Sequence, residues 1–359
     1  MISTTEELKA LVQILQQEKQ IGIDTEFHWR STYYPKLCLI QLATDKACYI
    51  IDPLNTDIDL SPLKPLLENQ NITKILHACS QDIKIINFEL DAKITPIFDT
   101  QIAGDFLGLS HQGSLQKLLE ELEIATLEKS QTMTDWRKRP LTSKQLQYAN
   151  DDVKHLVRSH IKLKYLLEKE KKLSWIQEDF ESLSNNIENY IYTDPKLAYK
   201  KLSSYKRLDA QGQHILKELC FWRESLAQKD DISQQWIISN KSIIEIARRK
   251  PALKAGLSHP AFQLTTKQIS KYSQIILEIL EASKNITAIN NSGSKPPIVS
   301  SEAIKEVTTK LAEICKEHNI VPQTVAAKQE IKRFLMEGNN DSLLLKGWRY
   351  EHFGKHLET

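Results

Sequence analysis

Residues 23–28 read IDTEFH and follow Ile21 and Gly22, so two carboxylates, Asp24 and Glu26, stand two residues apart in an otherwise apolar run. The β-branched and aromatic content of the run predicts a strand. Side chains alternate between the two faces of a strand. Ile21, Ile23, Thr25 and Phe27 therefore share one face, and Gly22, Asp24 and Glu26 the other. The apolar set can pack on helices while both acids point to the opposite side. Two like charges this close repel, and burying either is costly unless something pairs with it. Converging carboxylates at a strand end form a cradle for a hard divalent cation. Alone, the same pattern also describes a solvated strand edge.

Working outward, LCLIQLA (37–43), ACYIID (47–52) and TKILHA (73–78) are short, apolar and β-branched, hence strands. SPLKPLLEN (61–69) and SQDIKIINFEL (80–90) between them have helical spacing. The fold expected for residues 1–195 is α/β, a mixed central sheet flanked by helices, because the first three strands follow one another too closely for crossover helices. From FDTQIAGDFLG (98–108) onward no further strand is expected. SLQKLLEELE (114–123) and residues 142–172 are helical, the latter with Thr142 as N-cap and Leu146, Ala149, Val153 and Leu156 on one face. Two all-α modules are expected to follow, 203–285 and 300–357, joined by a polar Gly- and Pro-bearing linker at 286–299. KELCFWRES with NKSIIEIA, and AEICKEHN with AKQEIKRFL, suggest that the last module is a weak repeat of the first.

The chain has 359 residues, 41% hydrophobic and 26% charged, ordinary for two or three globular domains. Five scattered cysteines without a C-x-x-C pair argue against a disulfide framework or a zinc site and for a reducing, cytoplasmic setting. MISTTEELKALVQIL reads as a capped amphipathic helix and not as a signal peptide. No run of about eighteen apolar residues exists, so no membrane partner is expected. Net charge is +2, but residues 195–260 carry thirteen Lys and Arg against six Asp and Glu, a local +7 that leaves −5 elsewhere. A basic helical unit beside an acidic α/β unit suits a polyanion gripped by one and processed by the other. Solvated lysine-rich helices give the same count.

Two more acids bear on the opening pair. Asp82 falls just inside the helix that follows the strand at 73–78. Asp152 lies four residues after Tyr148 in YANDD, on the same helical face, although Asp151 is a helical neighbour of Tyr148 as well. IDTEF, HACSQD and YANDD occur in the order and approximate separation of the three motifs of the DEDD 3′→5′ exonuclease superfamily, and Tyr148-x-x-x-Asp152 resembles the third motif of its tyrosine subgroup. RSTYYPKLCLIQLA, FDTQIAGDFLG, KSQTMTDWRKRPLT and NKSIIEIARRKP extend the similarity to the bacterial ribonuclease D family over nearly the whole chain.

That resemblance implies a ribonuclease H-like exonuclease domain followed by two helical modules of the type shared with RecQ-type helicases. It implies Asp24, Glu26, Asp82, Tyr148 and Asp152 as catalytic residues, with Asp24, Glu26, Asp82 and Asp152 holding two divalent cations, Mg²⁺ or Mn²⁺. Asp24 would bridge both ions, Glu26 and Asp152 would complete one site, and Asp82 would support the other through water. The implied reaction is hydrolysis of RNA from its 3′ end to nucleoside 5′-monophosphates, with tRNA precursors bearing 3′ extensions as substrate and a monomer as the working form. The implied tRNA role and the RNA preference stand beside two other readings, a DNA-directed exonuclease and a non-catalytic RNA-binding scaffold. No G-x-x-x-x-G-K-[ST] loop occurs, which excludes a helicase motor.

Further substrate-contact candidates are Tyr33, which with Tyr34 and Arg30 follows the first acids and can stack on a terminal base or pack in a core. His77 precedes Asp82 and is a substrate contact or a packed histidine. Arg248, Arg249 and Lys250 end a helix, where they suit phosphate or simply the helix dipole. Trp136, Arg137 and Arg139 either contact phosphate or close the domain. Trp222 and Trp236 are expected in the core of the first helical module.

Overall fold

Gly22 and its apolar neighbours form the central strand of a five-stranded sheet. The computed structural model describes residues 1–109, 111–127, 134–185, 193–284, 286, 299–336 and 341–357. In chain order the elements are α1 (Thr5–Leu15), β1 (Gln20–His28), β2 (Lys36–Ala43), β3 (Cys48–Ile51), α2 (Leu63–Glu68), β4 (Thr73–Leu76), α3 (Ser80–Leu90), β5 (Ile97–Asp99), α4 (Thr100–Phe106), α5 (Leu115–Glu121), α6 (Ser143–Lys154), α7 (Leu156–Lys169) and α8 (Leu173–Asn185). Then come α9 (Ala210–Asp230), α10 (Gln234–Ile237), α11 (Asn240–Arg249), α12 (Thr266–Ala282), α13 (Ser301–Glu317), α14 (Pro322–Val325) and α15 (Lys328–Phe334).

The strand order is β3-β2-β1-β4-β5. β2 and β3 pair antiparallel, with Gln41 opposite Ile50, whereas β1–β4 and β4–β5 pair parallel, with Gly22 opposite Ile75 and Leu76 opposite Asp99. The sheet is therefore mixed. Parallel pairing brings the C-terminal ends of β1, β4 and β5 to one edge, where α/β sheets characteristically place their ligands. β5 is the strand not expected from sequence: its three residues are too short to show a period, and pairing with β4 along Lys74–Leu76 makes it a strand.

The alternation read from 21–27 decides which layer each face meets. Ile21 and Ile23 are buried with Leu8, Leu15, Leu42, Ile83 and Ile86 in a core that α1 and α3 cover. Ala103, Phe106, Leu118, Val153, Leu156 and Leu163 build a second core from α4, α5, α6 and α7, and Gly22 faces it through Leu156 and Val153. The expected N-cap of α6 forms, and the N-terminal helix is capped as expected. Thr4 caps α1 reciprocally with Glu7, and Thr142 caps α6 with Gln145, each satisfying orphan backbone donors of a first turn. The long helix expected over 142–172 is broken at His155, which separates α6 from α7.

By compactness the chain falls into two units, one of Met1–Phe27, Leu37–Glu188 and Lys295–Thr359, the other of His28–Lys36 and Asn189–Ser294. In the first, Ile304, Val307, Leu311 and Trp348 share the core of Phe106 and Leu163. The segment from α13 onward is tied there by polar contacts as well. Val321 N donates to Asp105 O at 3.1 Å, and buried Lys172 donates to the carbonyls of Phe106 and Asn319, both at 2.8 Å. Arg349 holds Asp179 through two bonds of 2.7 and 2.9 Å. The second unit is helical and has its own core, including Tyr33, Ile215, Leu219, Ile243, Ile246 and Phe262. The expected linker 286–299 lies, apart from Ile286 and Val299, outside the described residues. No helix among the described residues is long and apolar enough to cross a membrane, and none of the five cysteines forms a disulfide.

Candidate active site

β1 delivers Asp24 and Glu26 to the face that α6 covers, and Gly22 decides how closely α6 approaches. A Cβ at Gly22 would lie 3.1 Å from Leu156 Cβ and 3.3 Å from both Leu156 Cδ1 and Val153 O. With only hydrogens there, the end of α6 sits against β1 and brings Asp152 to the strand. Asp24, Glu26 and Asp152 can each offer one carboxylate oxygen such that the three atoms lie within 4.8 Å of one another. Gly22 is thus a positioning residue that sequence reading left as an alternation mark. We expect Gly22→Ala to displace α6 by a few tenths of an ångström and lower kcat about tenfold, with substrate affinity unchanged. Steady-state kinetics beside a binding titration checks this, and an unaltered kcat contradicts it.

Asp82 enters from the first turn of α3. It is buried and accepts a hydrogen bond from the hydroxyl of Thr25. Asp82 is not part of the three-carboxylate cluster, but its charge reaches Asp24 and Glu26. The turn that presents it is built by Asp99 at the end of β5. Asp99 accepts from the backbone N–H of Ala78 at 3.2 Å and Cys79 at 2.8 Å. It also caps α4 through Gln101 N and Ile102 N. Ala78 has a left-handed φ of 56°, a conformation that costs a non-glycine residue energy, and the bonds to Asp99 offset it. Thr25 and Asp99 were not singled out from sequence, because a threonine on a strand's apolar face and an FDT triplet carry no chemical signature by themselves.

Tyr148 and Asp152 lie one turn apart on α6, and the Tyr148 hydroxyl acts on the Asp152 carboxyl to favour its ionised form. The Tyr148 ring packs on Trp136, centroids 5.9 Å apart. Trp136 is buried, and Arg139 bonds both oxygens of Asp52 at 2.6 Å and the carbonyl of Cys38 at 2.9 Å. Of the two readings of this segment, Trp136 and Arg139 take domain closure, while Arg137 pairs with neighbouring Asp135 at 2.8 Å.

The site is strongly acidic in its electrostatics. Burial, then the charges of Asp82, Asp152 and Glu26, push the Asp24 carboxyl well above the usual range. Burial and the Asp152 and Asp82 charges raise Glu26 to about 9. Burial raises Asp152 to about 7 against the Tyr148 hydrogen bond, and Asp82 to about 6 against the bond from Thr25. Burial and the surrounding carboxylates raise the Tyr148 phenol too, so it stays protonated and acts as a hydrogen-bond donor. Four acids cannot all ionise here without compensating positive charge, and among the described residues no Lys or Arg is a leading influence on any of them. An all-oxygen, all-carboxylate donor set fits hard divalent cations.

The other substrate-contact candidates have the following surroundings. Tyr33 is a core residue of the helical unit: it is buried and its hydroxyl donates to Glu224 at 2.5 Å. His77 has both ring nitrogens taken, by Thr100 Oγ1 at 2.9 Å and Gly113 O at 3.0 Å, and burial holds its pKa down. Arg248 and Arg249 are about half exposed and bracket Glu245, while Lys250 pairs with Asp209 at 2.6 Å. Trp222 packs into the helical core, but Trp236, expected there too, is 59% exposed.

Comparison with known proteins adds the following. A family described as 3′-5′ exonuclease matches residues 1–168, and the HRDC domain matches residues 213–280. A ribonuclease D of Desulfotalea psychrophila is 34% identical over 359 residues, covering 98% of this chain and 95% of that one. A ribonuclease D of Gluconacetobacter diazotrophicus is 31% identical, covering 99% and 90%. Among solved structures, Escherichia coli RNase D, described as an exoribonuclease involved in structured RNA processing, matches with a TM-score of 0.87 at 27% identity over 99% of this chain and 96% of that one. The catalytic core of RRP6 from Trypanosoma brucei matches with a TM-score of 0.64 at 26% identity over 79% and 78%.

Proposed function

The chain belongs to the ribonuclease D family and is a 3′→5′ exoribonuclease, and from that premise we propose that Asp24, Glu26, Asp82, Tyr148 and Asp152 are its catalytic residues. The observation that carries this reading is the meeting of Asp24 and Glu26 with Asp152, more than a hundred positions later in the chain, carboxylate oxygens of all three lying within 4.8 Å of one another. The family uses divalent metal, and this carboxylate cluster is where it fits. Two Mg²⁺ or Mn²⁺ ions are the cations we assign. Asp24, Glu26 and Asp152 would hold one, and Asp24 the other with Asp82 behind it. When bound, such cations lower the pKa of an attacking water and neutralise charge on the leaving 3′ oxygen.

The chain's own residues do the rest. Asp24 and Glu26 both stand on β1, two residues apart and therefore on one face. Thr25 holds Asp82, and Gly22 lets Asp152 approach. Tyr148, protonated and braced by Trp136, orients the attacking water by hydrogen bonding. Tyr148→Phe is expected to lower kcat about tenfold to a hundredfold with RNA affinity and melting temperature unchanged. Single-turnover kinetics at saturating enzyme reads this, and full activity in the variant contradicts the role.

For the substrate we propose RNA precursors with 3′ extensions, tRNA precursors foremost, worked on by a monomer in the cytoplasm. The relative from Escherichia coli is described as acting in structured RNA processing, and the matched HRDC domain suits nucleic-acid binding. In this division of labour 1–195 hydrolyses, 203–285 grips RNA, and 300–357 is a divergent second helical module. The test compares a tRNA carrying a short 3′ extension, its mature form and a DNA strand of the same 3′ sequence. Trimming that stops at the mature end and spares the DNA, which lacks the 2′-hydroxyl, supports the reading. Equal digestion of all three overturns it.

A further inference from the structure

The side of α6 and α7 adjacent to Tyr148 and Asp152 lines a second cavity. Gln147, Asn150, Asp151, Lys154, His155 and Arg158 line it at alternating steps of three and one, so they form one helical stripe. Residues 44–48, the turn between β2 and β3 and the start of β3, line the opposite wall, and the walls enclose about 470 Å³. None of the five proposed catalytic residues lines it.

Its charges are unequally engaged. Asp45 pairs with Arg158 at 3.3 Å. Asp151 receives Gln147 Nε2 on both oxygens at 2.9 Å. Both acids of the cavity thus have partners, whereas among the described residues neither Lys46 nor Lys154 has a carboxylate within 4.0 Å. Lys46 stands on an ordered turn, since Thr44 Oγ1 accepts from the N–H of Lys46 and of Ala47, both at 3.1 Å. Burial, then the charge of Lys154, hold the His155 imidazole below its usual pKa against the charge of Asp151. Asn150 uses its amide N–H on Leu146 O at 2.9 Å, which leaves its carbonyl oxygen as an acceptor. Two unneutralised ammonium groups beside uncharged polar groups, in a space of nucleotide size, call for an anion with a polar body.

We propose that this cavity is a second ligand site that binds a phosphate group carried on a nucleoside, with Lys46 and Lys154 as its phosphate contacts. The nucleoside half of this assignment rests on the exonuclease reading; the preference for an anion rests on the two lysines. The phosphate belongs either to a released nucleoside 5′-monophosphate or to the backbone of bound RNA. In either case Lys154 lies two residues from Asp152 on the helix that carries it, so the ligand bears on the element that positions the catalytic carboxylate.

The test titrates adenosine 5′-monophosphate, and separately inorganic phosphate, into the full chain by calorimetry in EDTA. The wild type, Asp24→Asn and Lys46→Ala/Lys154→Ala are compared. Both lysines are exposed, so the double variant keeps the fold. We expect wild type and Asp24→Asn to bind the nucleotide within about twofold of each other and the lysine variant to bind at least about tenfold more weakly. Inorganic phosphate should compete for the same site. If no mononucleotide binds, the backbone source is read by adding the two lysine substitutions to Asp24→Asn and measuring RNA affinity. A loss of about fivefold or more supports the site in that form. Lysine substitutions that alter neither nucleotide nor RNA binding overturn it. RNA hydrolysis by the wild type, run in parallel with Mg²⁺, reports on the exonuclease reading separately.

Discussion

Asp24→Asn is expected to reduce kcat at least about a thousandfold while leaving RNA affinity within about threefold of wild type. The expectation follows from where Asp24 stands. It occupies the central strand, and its carboxyl feels the charges of Asp82, Asp152 and Glu26 together. Replacing it with a near-isosteric amide removes one negative charge and one anionic ligand without opening a cavity. In the proposed division of labour RNA is gripped by residues 203–285, which match the HRDC domain over 213–280 and which this change does not touch. Loss of turnover with retained affinity therefore marks a transition-state role. Matched losses of turnover and affinity would instead mark a general weakening of substrate binding, and wild-type turnover would remove Asp24 from the site.

The second large effect is on stability. In the metal-free chain Glu26, Asp152 and Asp82 hold their protons more tightly when folded, with pKa values raised to about 9, 7 and 6. An unfolded chain releases the same protons near the ordinary carboxylate values, about pH 4. Below that pH both states are protonated and the site adds no slope. From about pH 4 toward pH 9 the unfolded state gives up its protons first, so folding stability falls as pH rises. In EDTA the melting temperature of the wild type should therefore decline across pH 5 to 9, and Asp24→Asn should decline less because one repelling charge is gone. Saturating Mg²⁺ or Mn²⁺ should raise the wild-type value at pH 8 by about 5 °C, since a ligand that binds only the folded state stabilises it by mass action. Calorimetric scans at fixed ionic strength check all three. A wild-type profile that is flat or rises with pH in EDTA would contradict the electrostatic account.

Much of this was legible in the sequence, for reasons tied to particular residues. The alternation at 21–27 fixed which side chains face α6, because the period of a strand leaves no other choice. Thr142 announced the start of α6, and Tyr148 with Asp152 shared a face by helical spacing. Spacing could not choose between Asp151 and Asp152; in the folded chain Asp152 joins the carboxylate cluster and Asp151 is held by Gln147. The less legible features depend on partners distant in sequence. β5 is a strand because β4 lies beside it. Asp99 matters because it receives the N–H groups of Ala78 and Cys79 twenty residues earlier. Sequence left Tyr33 open between base stacking and core packing, because nothing near it in sequence reveals Glu224. Packing of 304–357 against Phe106 and Leu163 was hidden for the same reason, since an amphipathic helix does not name the surface it covers.

The carboxylate cluster is tested most directly by following a 3′-labelled RNA through digestion by the full chain with Mg²⁺ or Mn²⁺, with and without excess EDTA. The account requires the label to leave as a nucleoside 5′-monophosphate, one nucleotide at a time, and only when a divalent cation is present. Label recovered in longer fragments or as a 3′-phosphate, or digestion that continues unchanged in EDTA, would contradict it.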